Sequence, residues 1–231
     1  MPWAAIVVMT SVVGVQAIVF QDGGLLALGP NLFNMALVGV AVSHFASSSV
    51  QRILRGAQPA LFVGAAVSAW LSIVIAALAC ALELAVSGTS PANLAIPAMG
   101  GIHALIGVGE AVITVGAVAF LRAARPDLLQ STAPAGIGGA AIWIVGALVT
   151  LTLVVAAPLA STHPDGLNWV AQHQGFWESA QGPLYQLIPN YKFPGIADPA
   201  AATIAAAGIG SLLVLITTLI VVHAQRTRRR G

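Results

Sequence analysis

An all-α integral membrane bundle of about six transmembrane helices, with both termini on the cytoplasmic side, is the fold predicted by this sequence of 231 residues. Composition and the placement of arginine carry that prediction. Apolar residues make up 58% of the chain and charged residues 7%, whereas a soluble domain carries about 25% charged residues because its surface must face water. With a mean hydropathy of +0.92, the chain has too few charges to cover a water-facing surface, and lipid must cover it instead. Arg52 and Arg55 follow the second apolar run, Arg122 and Arg125 the fourth, and Arg226, Arg228, Arg229 and Arg230 the sixth. Odd-numbered exits lack Lys and Arg apart from Lys192. Such alternation is what the positive-inside rule demands of six crossings.

The runs, in order, are Trp3–Phe20, Asn31–Ala46, Leu61–Val86, Ile102–Leu121, Ile137–Leu159 and Ala200–Val222. The first lacks a basic n-region and a small-residue cleavage site, so it reads as a membrane run rather than a signal peptide. The second is short and opens on Asn31 and Asn34, which predicts an end packed against protein. The third is long enough to tilt. Gly64, Ala65, Ala66 and Ser68 in the third run, and Gly107, Gly109, Gly116 and Ala117 in the fourth, predict close helix approach. Gly136, Gly138 and Gly139, and later Gly208 and Gly210, serve the same end. Three outer segments remain: Gln21–Pro30, Gly88–Gly101 and Ala160–Pro199. The last is rich in Pro, Gly and aromatic residues, and its Pro164–Gly166 and Pro183 punctuation predicts turns and short helices.

Charge inside a membrane run is costly, so each instance is a functional candidate. Glu110 lies in the middle of the fourth run and Glu83 near the outer end of the third. His103 precedes Glu110 by about two turns and shares its face. Two roles are open for that pair: interhelical hydrogen bonding, or contact with a substrate or coupling partner. Glu83 reads as a carboxylate that pairs helices or sits at interface level. Asp22, Gly23 and Gly24, followed by Asn31 and Asn34, suit either a small pocket at the outer face or a tight connection capped by Asn31. His163 and Asp165 share a loop in which a turn on Pro164–Asp165–Gly166 is expected before metal binding. The five histidines are scattered, and no phosphate-binding loop, nucleophile elbow or dinucleotide fingerprint is present, which argues against an enzyme. The basicity comes from helix ends and is not a nucleic-acid signal. A single cysteine, Cys80, excludes an intramolecular disulfide.

Several strings, in order, resemble the CbiM/NikM family, the cobalt/nickel substrate-capture components of energy-coupling-factor transporters. They are Val15-Gln16-Ala17, Phe20-Gln21-Asp22-Gly23-Gly24-Leu25, Ala27-Leu28-Gly29 with Asn31 and Asn34-Met35, then Ala69-Trp70-Leu71-Ser72 and Cys80-Ala81-Leu82-Glu83-Leu84. His103-Ala104-Leu105-Ile106-Gly107-Val108-Gly109-Glu110-Ala111 and Arg125-Pro126-Asp127-Leu128-Leu129 follow. Behind them, His163-Pro164-Asp165-Gly166-Leu167 through Gly175-Phe176 looks like the PDGLE segment, a CbiN-like pair of helices flanking an extracytoplasmic loop (160–199). Asn168 stands where that segment's name expects Glu.

This resemblance implies a CbiM-like bundle over residues 1–130 and a PDGLE/CbiN-like tail over 131–231, in a prokaryotic inner membrane. It implies Co2+ or Ni2+ as cargo, no bound cofactor, a link to cobalamin biosynthesis, and partners comprising lipid, a transmembrane coupling subunit and cytoplasmic ATPases. Gln16, Asp22, Asn31, Asn34, His103 and Glu110 are the substrate-proximal candidates. Family members open with Met-His-Ile-Pro-Asp-Gly, whose amine and histidine help ligate the metal. Here Met1-Pro2-Trp3 stands where the family reads Gly-Pro-Trp. The expectation is a fragment lacking about three helices and the family's metal ligands, with a non-transporting accessory role as the alternative.

Overall fold

The computed structural model describes residues 2–55, 57–124, 139–161 and 163–228. Among them every regular element is helical. Five helices are long and apolar enough to cross a membrane: Pro2–Phe20, Leu28–Ile53, Pro59–Val86, Ala92–Ala123 and Pro199–Gln225. A shorter apolar helix, Trp143–Leu159, lies in the fifth predicted run. Its α-helical part begins at Gly139 and runs 18 residues to Ala156, about 27 Å of rise against a hydrocarbon core of about 30 Å. Arg125, the string that follows it, the start of that run, and Arg229 and Arg230 lie outside the described residues.

The first crossing is α1 (Pro2–Val15), which widens into a π-helical turn over Gln16–Phe20. It stops at Gln21 in a left-handed conformation, and Gly23 and Gly24 continue with positive φ, where glycine meets no steric penalty. The second crossing starts earlier and ends later than the sequence reading had it. It comprises α2 (Leu28–Asn31), a π-helical stretch Leu32–Gly39, and α3 (Val40–Ile53). The polar Ser47–Arg52 tail carries the helix past the apolar run rather than ending it. Next come α4 (Gln58–Val86), with Pro59 in its first turn, and α5 (Ala92–Ala124). The predicted segment Gly88–Gly101 is therefore mostly helix. Pro97 lies inside α5, past its first turn, where proline removes the i→i−4 hydrogen bond that its N–H would have made. Helices α6 (Gly139–Ala156), α7 (Gly166–Gln174) and α8 (Pro199–Arg228) complete the chain.

Across the bundle the order is α5, α4, the second crossing, α1, α8, α6. Small residues make the seams. Ala17, Ala36, Ala77, Ala81, Ala95 and Ala206 are buried, while Leu105, Val112, Ile113, Leu151 and Ile220 face outward. Gly107 shows why: a Cβ there would lie 2.9 Å from Trp70 Cδ1. The same close approach lets Trp70 Nε1 donate to the Ala104 carbonyl at 2.9 Å, satisfying an indole N–H at membrane depth. One end of the bundle carries residues 21–27, 87–91 and 160–198; it is termed the loop end, and the other the arginine end.

The long segment at the loop end is docked on the bundle. Helix α7 places Val170 in a core with Ala77, Ala81, Ala95 and Met99. Further along, Ile188 joins Phe20 and Ala206, with Phe193 packed beside them.

Candidate functional site

Polar candidates gather at the loop end, in separate small groups rather than around one point. Gln16 is the first residue of the π-helical turn of the first crossing, and π-helical turns inside helices are frequent at functional sites. The Tyr191 hydroxyl donates to Asp22 Oδ2 at 2.5 Å, and its ring stacks on Phe20 with centroids 4.6 Å apart. Burial, and then the hydrogen bond to Asp22, push the Tyr191 phenol far above its ordinary value of 10, with hydrogen bonding from Gln16 opposing in part. Tyr185 OH donates to the Ile18 carbonyl at 2.7 Å. Two tyrosines of the long loop thus pin it to the end of the first crossing.

Asn31 does not cap a helix. It is the last residue of α2, and its amide fills the space beside Gly23, where any Cβ would collide with it. The connection is tight for that reason. The same loop also forms one wall of a pocket, with Gln21, Gly24 and Pro30 facing Gln181, Gly182 and Pro183.

Asn34 lies within the second π-helical stretch and is 5% exposed. Its Nδ2 donates to Glu83 Oε2 of α4 at 2.7 Å, so Glu83 pairs two crossings. The Asn34 Oδ1 is buried with no partner.

His103 and Glu110 share a face of α5 but not an environment. The His103 ring accepts or donates at Nδ1 with the Met99 carbonyl, 2.8 Å away. Its Cε1 and Nε2 both lie 2.6 Å from where a Cβ on Gly166 would stand. The start of α7 therefore covers His103, whereas Glu110, one turn beyond Ile106, is exposed along the membrane-spanning part of α5. Among the described residues Glu110 has no hydrogen-bond or ion-pair partner.

The expected turn at Pro164–Asp165–Gly166 is a helix start. Asp165 Oδ1 accepts from the Asn168 backbone N–H at 2.8 Å, and Asn168 Nδ2 returns to Asp165 Oδ2 at 3.1 Å. Asp165 is thus the N-cap of α7, and the Asn168 amide adds a second bond to the capping carboxylate itself. His163 is engaged with Ser161 Oγ at 3.1 Å. Among the described residues no three His, Cys, Asp or Glu side chains gather to hold a metal ion.

Tyr191, Tyr185 and Gly166 were not singled out as site residues by sequence reasoning. The aromatic richness of the long loop was the available signal for the tyrosines, since Tyr carries a donor on a large apolar body.

Fold and site together define a multi-pass α-helical membrane protein in which the long segment at the loop end is clamped onto its own bundle. The sequence profile of the "Cobalt uptake substrate-specific transmembrane region" matches residues 1–128, and that of the PDGLE domain residues 139–227. The chain belongs to this CbiM family, the cobalt- and nickel-transport membrane proteins, and carries a PDGLE domain behind the family region. It is 34% identical to the putative fused nickel transport protein NikMN of Archaeoglobus fulgidus over 93% of this chain and 70% of that one. A fused nickel transport protein NikMN of Rhodobacter capsulatus is 34% identical over 55% of this chain and 41% of its own length. The cobalt transport protein CbiM of Sorangium cellulosum is 32% identical over 56% and 58%. The chain thus spans about half the length of the last two. No solved structure matches. With relatives that are prokaryotic metal-transport proteins rather than enzymes, the chain is placed in the cell membrane.

Proposed function

We propose that this chain is the substrate-capture component of an ATP-driven cobalt or nickel importer. The observation that carries the reading is the succession, in one chain, of a cobalt-uptake region and a PDGLE domain, with the second docked on the first through Gly166–His103 and Tyr191–Asp22. The cargo is Co2+ or Ni2+, and supply of cobalt for cobalamin synthesis is its expected use. ATP is hydrolysed by cytoplasmic subunits that reach this chain through a transmembrane coupling subunit. By the positive-inside rule the arginine end faces the cytoplasm, which puts the loop end, with Gln16, Asp22, Asn31, Asn34 and His103, on the side where cargo arrives. Glu110, exposed on α5, faces the coupling subunit.

Uptake of radioactive Co2+ and Ni2+ tests this, in cells lacking their own importers, with and without the coupling and ATPase subunits. Accumulation that requires both the chain and the ATPases is the expected result. Accumulation that is the same without this chain overturns it.

A further inference from the structure

The pairing of Asn34 with Glu83 leaves a puzzle at the loop end of the bundle. A carboxylate between two membrane crossings is costly, and is kept where it serves a partner or a pathway. Its partner here is an amide that spends one N–H on Glu83 Oε2 at 2.7 Å while its own Oδ1 is buried without any donor. A 95% buried side chain with an unused acceptor is an incomplete structural bond. A half-turn of the amide exchanges the two atoms and sets Oδ1 beside the Glu83 carboxylate. Two oxygens at that separation repel each other unless a proton or a metal cation lies between them.

Cys80 stands one turn before Glu83 on α4, a spacing at which two side chains are neighbours on the helix surface. Below them, Ser72 and Ala76 lie within about 20° of Glu83 around the helix and line a cleft shared with Met9, Met35 and His44. Oxygen, thiol, thioether and imidazole in succession suit a borderline transition metal, whereas Mg2+ and Ca2+ take oxygen alone.

We infer that Glu83, Asn34 and Cys80 form a binding site for a divalent transition-metal ion inside the membrane bundle, in which Asn34 changes from donor to ligand as the ion enters. The inference rests on the reading of this chain as a cobalt or nickel transport component. Three donors leave coordination positions to water, which suits an ion that must also leave. The thiol loses its proton as the metal–sulfur bond forms, so binding releases one H+ to the medium.

The test titrates Co2+ into the full chain in lipid nanodiscs and follows the Co(II) absorption spectrum. Wild type is expected to saturate, with ligand-field bands and a sulfur-to-cobalt charge-transfer band. Cys80→Ser keeps the first and loses the second. Glu83→Gln weakens binding by about tenfold or more, and Asn34→Asp tightens it, because a carboxylate replaces the amide. That gain cannot be mimicked by misfolding. No saturable spectrum in wild type, or equal affinity in all three variants, overturns the site. Uptake measured in parallel separates the two readings. Uptake by wild type with no saturable cobalt spectrum sinks the site and leaves transport standing. A cobalt spectrum without uptake by wild type sinks transport and leaves the site.

Discussion

Gly166 offers the sharpest perturbation of the clamp between the long loop and the bundle. Substituting alanine places a Cβ 2.6 Å from both Cε1 and Nε2 of His103, and 3.0 Å from Ile106 Cδ1. Ordinary contact lies at about 3.5–4.0 Å, so the ring or the helix must yield by about 1 Å. The ring is not free to do so, because its Nδ1 is tied to the Met99 carbonyl. Helix α7 is the element that moves, and moving it draws Val170, fully buried, out of its core with Ala95 and Met99. Overpacking of this kind costs about 1–3 kcal/mol. At about 1.4 kcal/mol per factor of ten, α7 opens about 5- to 140-fold more often. Amide hydrogen exchange over residues 167–174 reads that factor directly as lost protection. The control is the double variant with His103→Ala, where removal of the ring makes room for the methyl group. Alanine at 166 should then cost little. Unchanged protection in Gly166→Ala, or an equal loss with and without the imidazole, would refute the argument.

Three further outcomes are expected. Tyr191→Phe keeps the stack on Phe20 and loses the bond to Asp22; at a partly exposed site that is worth about 1 kcal/mol, measured as a lower thermal midpoint. The same residue sets an alkaline limit: with its phenol raised well above 10 in the folded chain, its contribution is intact below the unfolded value. It is lost as pH rises beyond about 10, and a pH series on Tyr191→Phe should lack that component. Gly107→Ala forces Trp70 and Ile73 apart from α5 and strains the Trp70–Ala104 bond, costing about 1–3 kcal/mol in reversible unfolding. Glu110→Ala removes an exposed side chain with no hydrogen-bond or ion-pair partner among the described residues and should leave the midpoint of the isolated chain within about 0.5 kcal/mol of wild type. Metal uptake with the full set of partner subunits should fall in the same variant, and equal uptake would remove Glu110 from the coupling surface.

The crossings were legible because the bilayer sets a length and a composition that few sequences meet by accident. Their ends were less so, since helix formation does not stop where hydropathy does. Ser47–Arg52 is polar yet extends α3, and Pro97 with Gly100 and Gly101 reads as a break yet lies inside α5. Gly100 is tolerated there because it faces Leu78 of α4, 3.2 Å from where a Cβ would be. A seam of that kind joins residues more than twenty positions apart, which no local pattern encodes.

For the polar residues, the sequence located the cost and the fold supplied the answer. Glu83, Asp22 and Glu110 each stand out in a chain with seven acidic residues, but their fates diverge through contacts far apart in sequence. Asp22 is met by Tyr191 and Glu83 by Asn34, 169 and 49 positions away. Those partners come into reach because the helix backbone departs from α geometry at Gln16–Phe20 and Leu32–Gly39, and a change from α to π turns side chains around the axis in a way that periodicity cannot foretell. Glu110 has no such departure near it and, among the described residues, no hydrogen-bond or ion-pair partner. On the proposed reading, a carboxylate left exposed at mid-span is kept for a partner supplied by another chain.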